Sequence, residues 1–437
     1  MTAAGLVLAA PASGSGKTTL ALALARHLRN SGLKIACAKS GPDYIDPAFH
    51  EAASGRACVN LDRWAMREET LAFLIGDAGG ADFVVCEGAM GLYDGVGAEG
   101  AGSTAELANF AGWPVVLVVD ARGLGASAGP LVAGFARAAG APPIAGIVFN
   151  RVGAASHAAL LREALALHAP EVPCLGAVPR DPELAHPERH LGLVQARERA
   201  DLDGFLDRAA GIVAAHVDVA ALRAAARPSA RAGGSGRVLP PLGQRIAVAR
   251  DDAFAFLYPH MLDGWRRAGA ELSFFSPLDG QIPDPACDAI HLPGGYPELH
   301  AGKLARAPFL PALRAAASRG TAIFGECGGY MALGDGLIDA DGARHAMAGL
   351  LPLETSFAAR KLHLGYRRAT LGACHPFGEA GAVFRAHEFH YSAVLREGPG
   401  ETLFAVRDAR GRDLGTMGLR AGGVAGSFIH LIDREST

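Results

Sequence analysis

Short apolar runs alternate with segments whose apolar residues recur at helical spacing through the first 180 or so positions. The runs predict strands at Leu6–Ala10, Ile35–Lys39, Phe83–Glu87, Val115–Asp120, Ile144–Asn150 and Cys174–Val178. The periodic segments predict helices over Thr18–Arg29, Thr104–Ala111, Ser127–Ala139 and Ser156–His168. This alternation is the signature of an α/β parallel sheet covered by helices. In open sheets of that kind, ligands lie beyond the C-terminal strand ends. Lys39, Glu87, Asp120 and Asn150 fall at those ends.

The pattern changes between Val217 and Gln244. Ala221–Ala226 completes a helix, but Arg227-Pro228-Ser229, Gly233-Gly234-Ser235-Gly236 and Pro240-Pro241 have the composition of a linker. The expected division is a first domain over 1–222, a linker over 223–243 and a second domain over 244–437. The second is again α/β. It has strands at Ile246–Ala249, Leu272–Phe275, Ala289–Leu292 and Thr321–Phe324, and helices at Pro259–Ala268 and Ala307–Arg319. After Met347 the segments are short and β-rich, and no internal repeat is visible.

Composition narrows the function class. Half of the 437 residues are apolar and 19% are charged, enough to bury sizeable cores. A net charge of −3 argues against general attraction to nucleic acid or anionic membrane. Seven cysteines show neither a C-x-x-C pair nor zinc spacing, which speaks against a disulfide scaffold. The apolar start has no basic region before it and runs straight into a polar loop, unlike a signal peptide. No apolar stretch of about 18 residues appears. A cytoplasmic enzyme is expected.

Two stretches carry chemistry. The first is Ala10-Pro11-Ala12-Ser13-Gly14-Ser15-Gly16-Lys17-Thr18-Thr19, set between the first strand and the first helix. A glycine-rich turn there aims backbone N–H groups and the helix dipole at phosphate. Lys17 would reach the β/γ-phosphates and the Thr18 hydroxyl would hold Mg²⁺. Pro11 stands where the usual phosphate-loop pattern has glycine. The competing reading is an ordinary glycine-rich turn with a solvent-facing lysine.

The second stretch is Gly325-Glu326-Cys327-Gly328-Gly329, between a buried strand and the helical Tyr330-Met331-Ala332-Leu333. A nucleophile on a tight strand-to-helix turn needs small neighbours, and a helix start favours the thiolate. His430, near the C-terminus, is the leading base, with His387 and His390 as competitors. The N–H of Gly328 and that of Gly295, in Pro293-Gly294-Gly295-Tyr296-Pro297-Glu298, form the candidate oxyanion hole. His387-x-x-His390 alone reads better as an alternating strand than as a metal site.

Gly-Glu-Cys-Gly-Gly with the upstream Gly-Gly-Tyr-Pro-Glu resembles a class I glutamine amidotransferase domain. Those enzymes usually carry His-x-Glu, whereas this chain has His430-Leu431-Ile432; the departure resembles the cobyrinic acid synthase branch, which works with a Cys–His dyad. Lys39-Ser40-Gly41-Pro42-Asp43-Tyr44-Ile45-Asp46-Pro47, Glu87-Gly88-Ala89-Met90-Gly91-Leu92-Tyr93-Asp94-Gly95 and Arg250-Asp251-Asp252-Ala253-Phe254-Ala255-Phe256 resemble the cobyrinic and hydrogenobyrinic acid a,c-diamide synthase family, in the same order.

That resemblance implies a dethiobiotin-synthetase-like ATPase domain joined to a glutaminase domain. It implies ATP and Mg²⁺ as requirements, and L-glutamine and a corrinoid polycarboxylic acid as substrates. ATP would meet Ser13, Gly14, Ser15, Gly16, Lys17, Thr18 and Thr19, with Asn150 and Arg151 reading adenine. The metal would meet Thr18, Asp46 and Glu87, with Asp120 as a rival, and the ring would meet Lys39, Asp43, Tyr44, Ile45 and Asp94. Cobyric acid synthase and a nickel-sirohydrochlorin amidating enzyme are the alternatives within the family. A partitioning ATPase is disfavoured because no lysine precedes Lys17 in the loop, and a thiol hydrolase would leave the phosphate loop idle. Whether the ring carries cobalt, and whether the chain forms a homodimer, stay open.

Overall fold

The computed structural model describes residues 3–435 apart from 79, 185–187, 190–191, 194–195, 232, 235, 237 and 238. The chain divides into two compact units: 1–64 with 68–235, and 65–67 with 236–437.

Seven strands form the parallel sheet of the first unit: β1 Ala4–Ala9, β2 Ile35–Ser40, β3 Val59–Leu61, β4 Phe83–Glu87, β5 Val115–Asp120, β6 Ile144–Val152 and β7 Cys174–Pro179. Their order is β3-β2-β4-β1-β5-β6-β7. The chain turns one way after β1 and the other way after β4, so the loop leaving β1 lies at the switch point where such sheets take ligands. Helix α1, Lys17–Asn30, lays Leu20, Leu24 and Leu28 in the core with Leu6, Leu8 and Phe205. Truncating Leu24 would cost roughly 2–5 kcal/mol.

The apolar pattern located most strands to within two residues. It did not reveal helix α2, Asp46–Ser54, the helix Glu68–Gly76 or the three-residue edge strand β3. The ends of α2 are punctuated by Pro47 in its first turn and by Gly55, left-handed at φ 74°. The stretch expected to be a linker begins with structure: a helix at Val219–Ala225, capped by Asp218, then Arg227–Pro228 paired antiparallel with Ala4 and Gly5.

In the second unit, the strands of the main sheet are β8 Arg245–Ala249, β9 Glu271–Phe275, β10 Ala289–Leu292, β11 Ala322–Glu326, β12 His363–Leu371, β13 Val383–His390, β14 Glu401–Asp408, β15 Asp413–Ala421, β16 Val424–Ser427 and β17 Ile429–Arg434. They make one mixed sheet, ordered β9-β8-β10-β11-β16-β15-β14-β12-β13-β17. The first five are parallel, as expected of α/β strands, and the remainder antiparallel.

Phe428 separates β16, which pairs with β11, from β17, which pairs with β13. That break sets Ser427 opposite Glu326 and His430 opposite His387. Residues 65–67 belong to this unit, where the Arg67 guanidinium and backbone N–H both donate to Asp433. Among the described residues no helix is long and apolar enough to cross a membrane.

Candidate functional site

The loop after β1 is shaped by glycines in left-handed conformation, Gly14 at φ 76° and Gly16 at φ 87°. A side chain on Gly16 would meet the Asn150 amide nitrogen at 2.2 Å. That nitrogen donates to the Ser15 carbonyl at 2.9 Å, while Arg151 donates to the Gly14 carbonyl and to Asp120, both at 2.6 Å. Asn150 and Arg151 thus brace the backbone of the loop. Helix α1 starts at Lys17 with no acid in its first turn and no side-chain cap, leaving its N–H groups to an anion. The Lys17 ammonium donates to the Met90 carbonyl at 2.6 Å, and burial lowers its pKa.

Beside the loop lies a buried charge cluster. The Thr18 hydroxyl donates to Glu87 at 2.6 Å. The Lys39 ammonium sits 2.9 Å from Glu87, 2.5 Å from Asp46 and 3.9 Å from Asp43. The imidazole of His50, on α2, is 2.6 Å from the other Glu87 oxygen. Burial pushes Glu87 upward, but Lys39, His50 and Thr18 outweigh it and hold the carboxyl well below its usual range. Burial and Asp43 push Asp46 up to about 7. Asp43 accepts the backbone N–H of Ile45 and Asp46, and Asn60 donates to the carbonyls of Gly41 and Asp43, fixing the loop that carries Tyr44. Asp94 accepts from the Gly91 N–H at 2.7 Å.

Asp120 is held by Arg122 and Arg151, so Glu87 and not Asp120 is the acid beside Thr18. A hydroxyl and the ionised Glu87 carboxylate are hard oxygen donors of the kind that suits Mg²⁺.

In the second unit, Cys327 lies on a strained elbow between β11 and the helix Gly328–Leu333, with φ 48° and ψ −106°. Its backbone N–H is anchored on the Ser427 carbonyl at 2.8 Å. The turn tolerates no side chains around it: a Cβ on Gly329 would lie 1.9 Å from the Leu292 carbonyl oxygen, and one on Gly325 2.7 Å from Gly329. The N–H groups of Gly328 and Gly295 both reach the Cys327 sulfur. Gly295 is pressed against the Ala253 carbonyl, where a Cβ would come to 2.2 Å. Gly294 separates nucleophile and base: its Cβ would lie 2.4 Å from Cε1 of His430 and 3.2 Å from Cβ of Cys327.

One expectation fails here. The helix start does not give a resting thiolate, because burial, with Glu298 nearby, raises the thiol more than the Gly328 and Gly295 N–H groups lower it. The following helix has only six residues and a correspondingly small dipole. Burial and the neighbouring His387 and His390 likewise lower His430, to about 3. At rest both partners are neutral, and the sulfur is activated only when its proton moves.

Of the competing histidines, His387 lies opposite His430 across the strand pair and His390 has other partners. His390 is 2.9 Å from Glu388 and 3.0 Å from the Ser392 hydroxyl, and Arg367 closes on Glu388 at 2.7 Å. The alternation of β13 is borne out, its side chains burying every second position. His363 stacks on His390 at 4.5 Å, and His363, Glu388 and His390 bring potential ligand atoms within 4.8 Å of one another. Arg367 already supplies positive charge to that carboxylate.

Comparison with known proteins agrees with this pairing of centres. Residues 6–194 match the CobQ/CobB/MinD/ParA nucleotide binding domain, and residues 245–437 match the CobB/CobQ-like glutamine amidotransferase domain. Hydrogenobyrinate a,c-diamide synthases from Brucella anthropi and Rhodobacter capsulatus are each 53% identical to the chain, and that from Rhizobium meliloti is 54% identical. Each alignment covers 98% of this chain and 98–99% of the relative. The chain belongs to the hydrogenobyrinate a,c-diamide synthase family.

Within this family member, sequence reading named most of the residues that the fold gathers. Ser13 to Thr19 form the loop, Thr18 meets Glu87, and Cys327, His430, Gly295 and Gly328 converge. Lys39, expected at the ring, is buried among Asp46 and Glu87, because two carboxylates so enclosed need an ammonium between them. Asn150 and Arg151, expected to read adenine, are engaged with the loop carbonyls. His50 and Asn60 were missed. The spacing from Asp46 to His50, one helical turn, was the available signal for the former.

Proposed function

We propose that this chain uses ATP and glutamine to amidate the a- and c-acetate carboxylates of hydrogenobyrinate, in cobalamin biosynthesis. The observation that carries the reading is the strained Cys327 elbow beside His430 in a chain that also holds a braced phosphate loop at Lys17. Neither centre alone accounts for the other.

A carboxylate at neutral pH resists amines and must be activated. The first unit would transfer the γ-phosphoryl group of ATP to a substrate carboxylate, giving an acyl phosphate; such transfer rests on positioning and on neutralising oxygen charge. Lys17 and the first-turn N–H groups of α1 would hold the phosphates. Mg²⁺ would be held by Thr18 and Glu87, with Asp46, and would supply neutralising charge to the phosphate oxygens. Lys39 keeps Glu87 ionised, and Asp43, Tyr44, Ile45 and Asp94 lie on the loops that would meet the ring.

In the second unit, His430 would take the Cys327 proton as the sulfur attacks the glutamine amide carbon. The N–H groups of Gly328 and Gly295 would receive the developing oxyanion. The released ammonia would displace phosphate from the acyl phosphate, and hydrolysis of the thioester would free glutamate. Two such cycles complete the product.

The test is to incubate the pure enzyme with ATP, Mg²⁺ and glutamine against hydrogenobyrinic and cobyrinic acids, and to weigh the products. Two added amides on hydrogenobyrinic acid support the reading. Four amides, or conversion only of the cobalt-containing ring, contradict it.

A further inference from the structure

The base of this glutaminase lacks the acid usually found two residues after it, since Ile432 fills that position and offers its carbonyl to the His260 ring at 3.3 Å. Asp433 is held by Arg67. A different carboxylate stands at the imidazole. Glu326, the residue before the nucleophile, ends β11 and is 3% exposed. One of its oxygens accepts the Leu431 N–H at 3.0 Å, which ties the side chain to the strand carrying the base. The other lies 3.9 Å from Nδ1 of His430. Further round the ring, Cε1 and then Nε2 lie against Gly294, which also abuts Cys327. The ring thus stands between a carboxylate at Nδ1 and the glycine that borders the nucleophile.

We propose that Glu326 is the positioning residue for His430, orienting the ring and favouring its protonated form from the place before the nucleophile. This rests on the Cys–His glutaminase reading above. A separation of 3.9 Å between two neutral groups is longer than a hydrogen bond in the resting enzyme, and such contacts tighten once substrate is bound. Cys327 loses its proton to Nε2, its sulfur bonds to the amide carbon, and the resulting imidazolium presents Nδ1–H to Glu326.

The surroundings make this dependent on pH. Burial raises Glu326 to about 8, opposed only by the Leu431 N–H, so the carboxyl is largely neutral at pH 7 and ionises just above it. His430 is faced by His387, His390 and His291, which disfavour its charge, and by Glu388, which favours it. Cys327 is faced by Glu298 and Glu326. Ionised Glu326 is the form that supports the imidazolium, so glutamine use should rise with pH through the Glu326 ionisation.

The experiment compares the wild-type enzyme with Glu326→Gln and Glu326→Asp, using glutamine or ammonia as nitrogen source. Glu326→Gln keeps an acceptor for Leu431 and removes the charge. Its expected signature is a fall of about 10- to 100-fold in glutamine-driven kcat. The glutamine KM and ammonia-driven activity should stay near wild type, and the rate step near pH 8 should vanish. Glu326→Asp should retain a pH step with a reduced rate. Glutamine-driven activity within about twofold of wild type in Glu326→Gln overturns the proposal. So does a slow variant that keeps the wild-type pH step, or one that loses ammonia use equally. Should Glu326→Gln not fold, the wild-type profile decides: iodoacetamide alkylation of Cys327 with no ionisation near pH 8 overturns it. A wild-type enzyme that uses ammonia but never glutamine would sink the glutaminase reading itself.

Discussion

The Thr18 hydroxyl donates to Glu87 at 2.6 Å, joining the phosphate loop to the end of β4. The acid is held ionised there by Lys39 and His50 despite burial. Replacing it as Glu87→Gln keeps the shape and removes the charge that would meet Mg²⁺. Amidation should fall roughly 10²-fold or more with either nitrogen source. Glutamine hydrolysis by the second unit should persist, and a coupled glutamate assay separates the two activities.

Gly294 leaves room for His430. A methyl group there would lie 2.4 Å from the ring, so Gly294→Ala must displace the base or the chain around it. Glutamine-driven kcat should drop at least about tenfold, while ammonia-driven synthesis stays within about twofold. Equal loss in both assays would show a folding defect instead of a displaced base.

His50 should give the first unit a pH-dependent share of its stability. Burial opposes its charge, but the neighbouring Cys37 and the hydrogen bond to Glu87 raise its pKa from 6.5 to about 10. For a raised histidine, the contribution is complete below the unfolded value of 6.5 and disappears as pH climbs through about 10. The gap in Tm between wild type and His50→Asn should therefore be widest near pH 6 and shrink steadily towards pH 10. A gap that widens with pH would contradict the pairing with Glu87.

Much of this was legible in the sequence because it is written locally. Phe83–Glu87 is buried through its length and Val115–Asp120 up to its last residue, so an apolar run marks each one. Cys327 could be found because its strained backbone demands glycine around it. Helix α2 escaped because Asp46-Pro47 opens it inside a motif that reads as loop, and β3 is too short to show a period. Partnerships were the harder part. Lys39 with Asp46 is seven residues apart, but Lys39 with Glu87, Thr18 with Glu87 and Glu326 with His430 depend on which strands lie side by side. The resting state of Cys327 also depends on burial, which local sequence does not record.

Asn150 tests the brace under the phosphate loop. Its amide donates to the Ser15 carbonyl, and Asn150→Ala removes that bond from a buried setting. The expected result is a loss of about 1 kcal/mol in stability and a several-fold rise in the KM for ATP, with the glutamine KM unchanged. An unchanged ATP KM would remove Asn150 from the nucleotide site.

The account divides labour between two centres, and Cys327→Ala probes that division most directly. The variant is supplied with ATP, Mg²⁺ and hydrogenobyrinic acid, plus either glutamine or ammonium salt, and the products are weighed. The account predicts no amidation from glutamine and full formation of the diamide from ammonia. Failure with ammonia as well, or product from glutamine without the thiol, would contradict it.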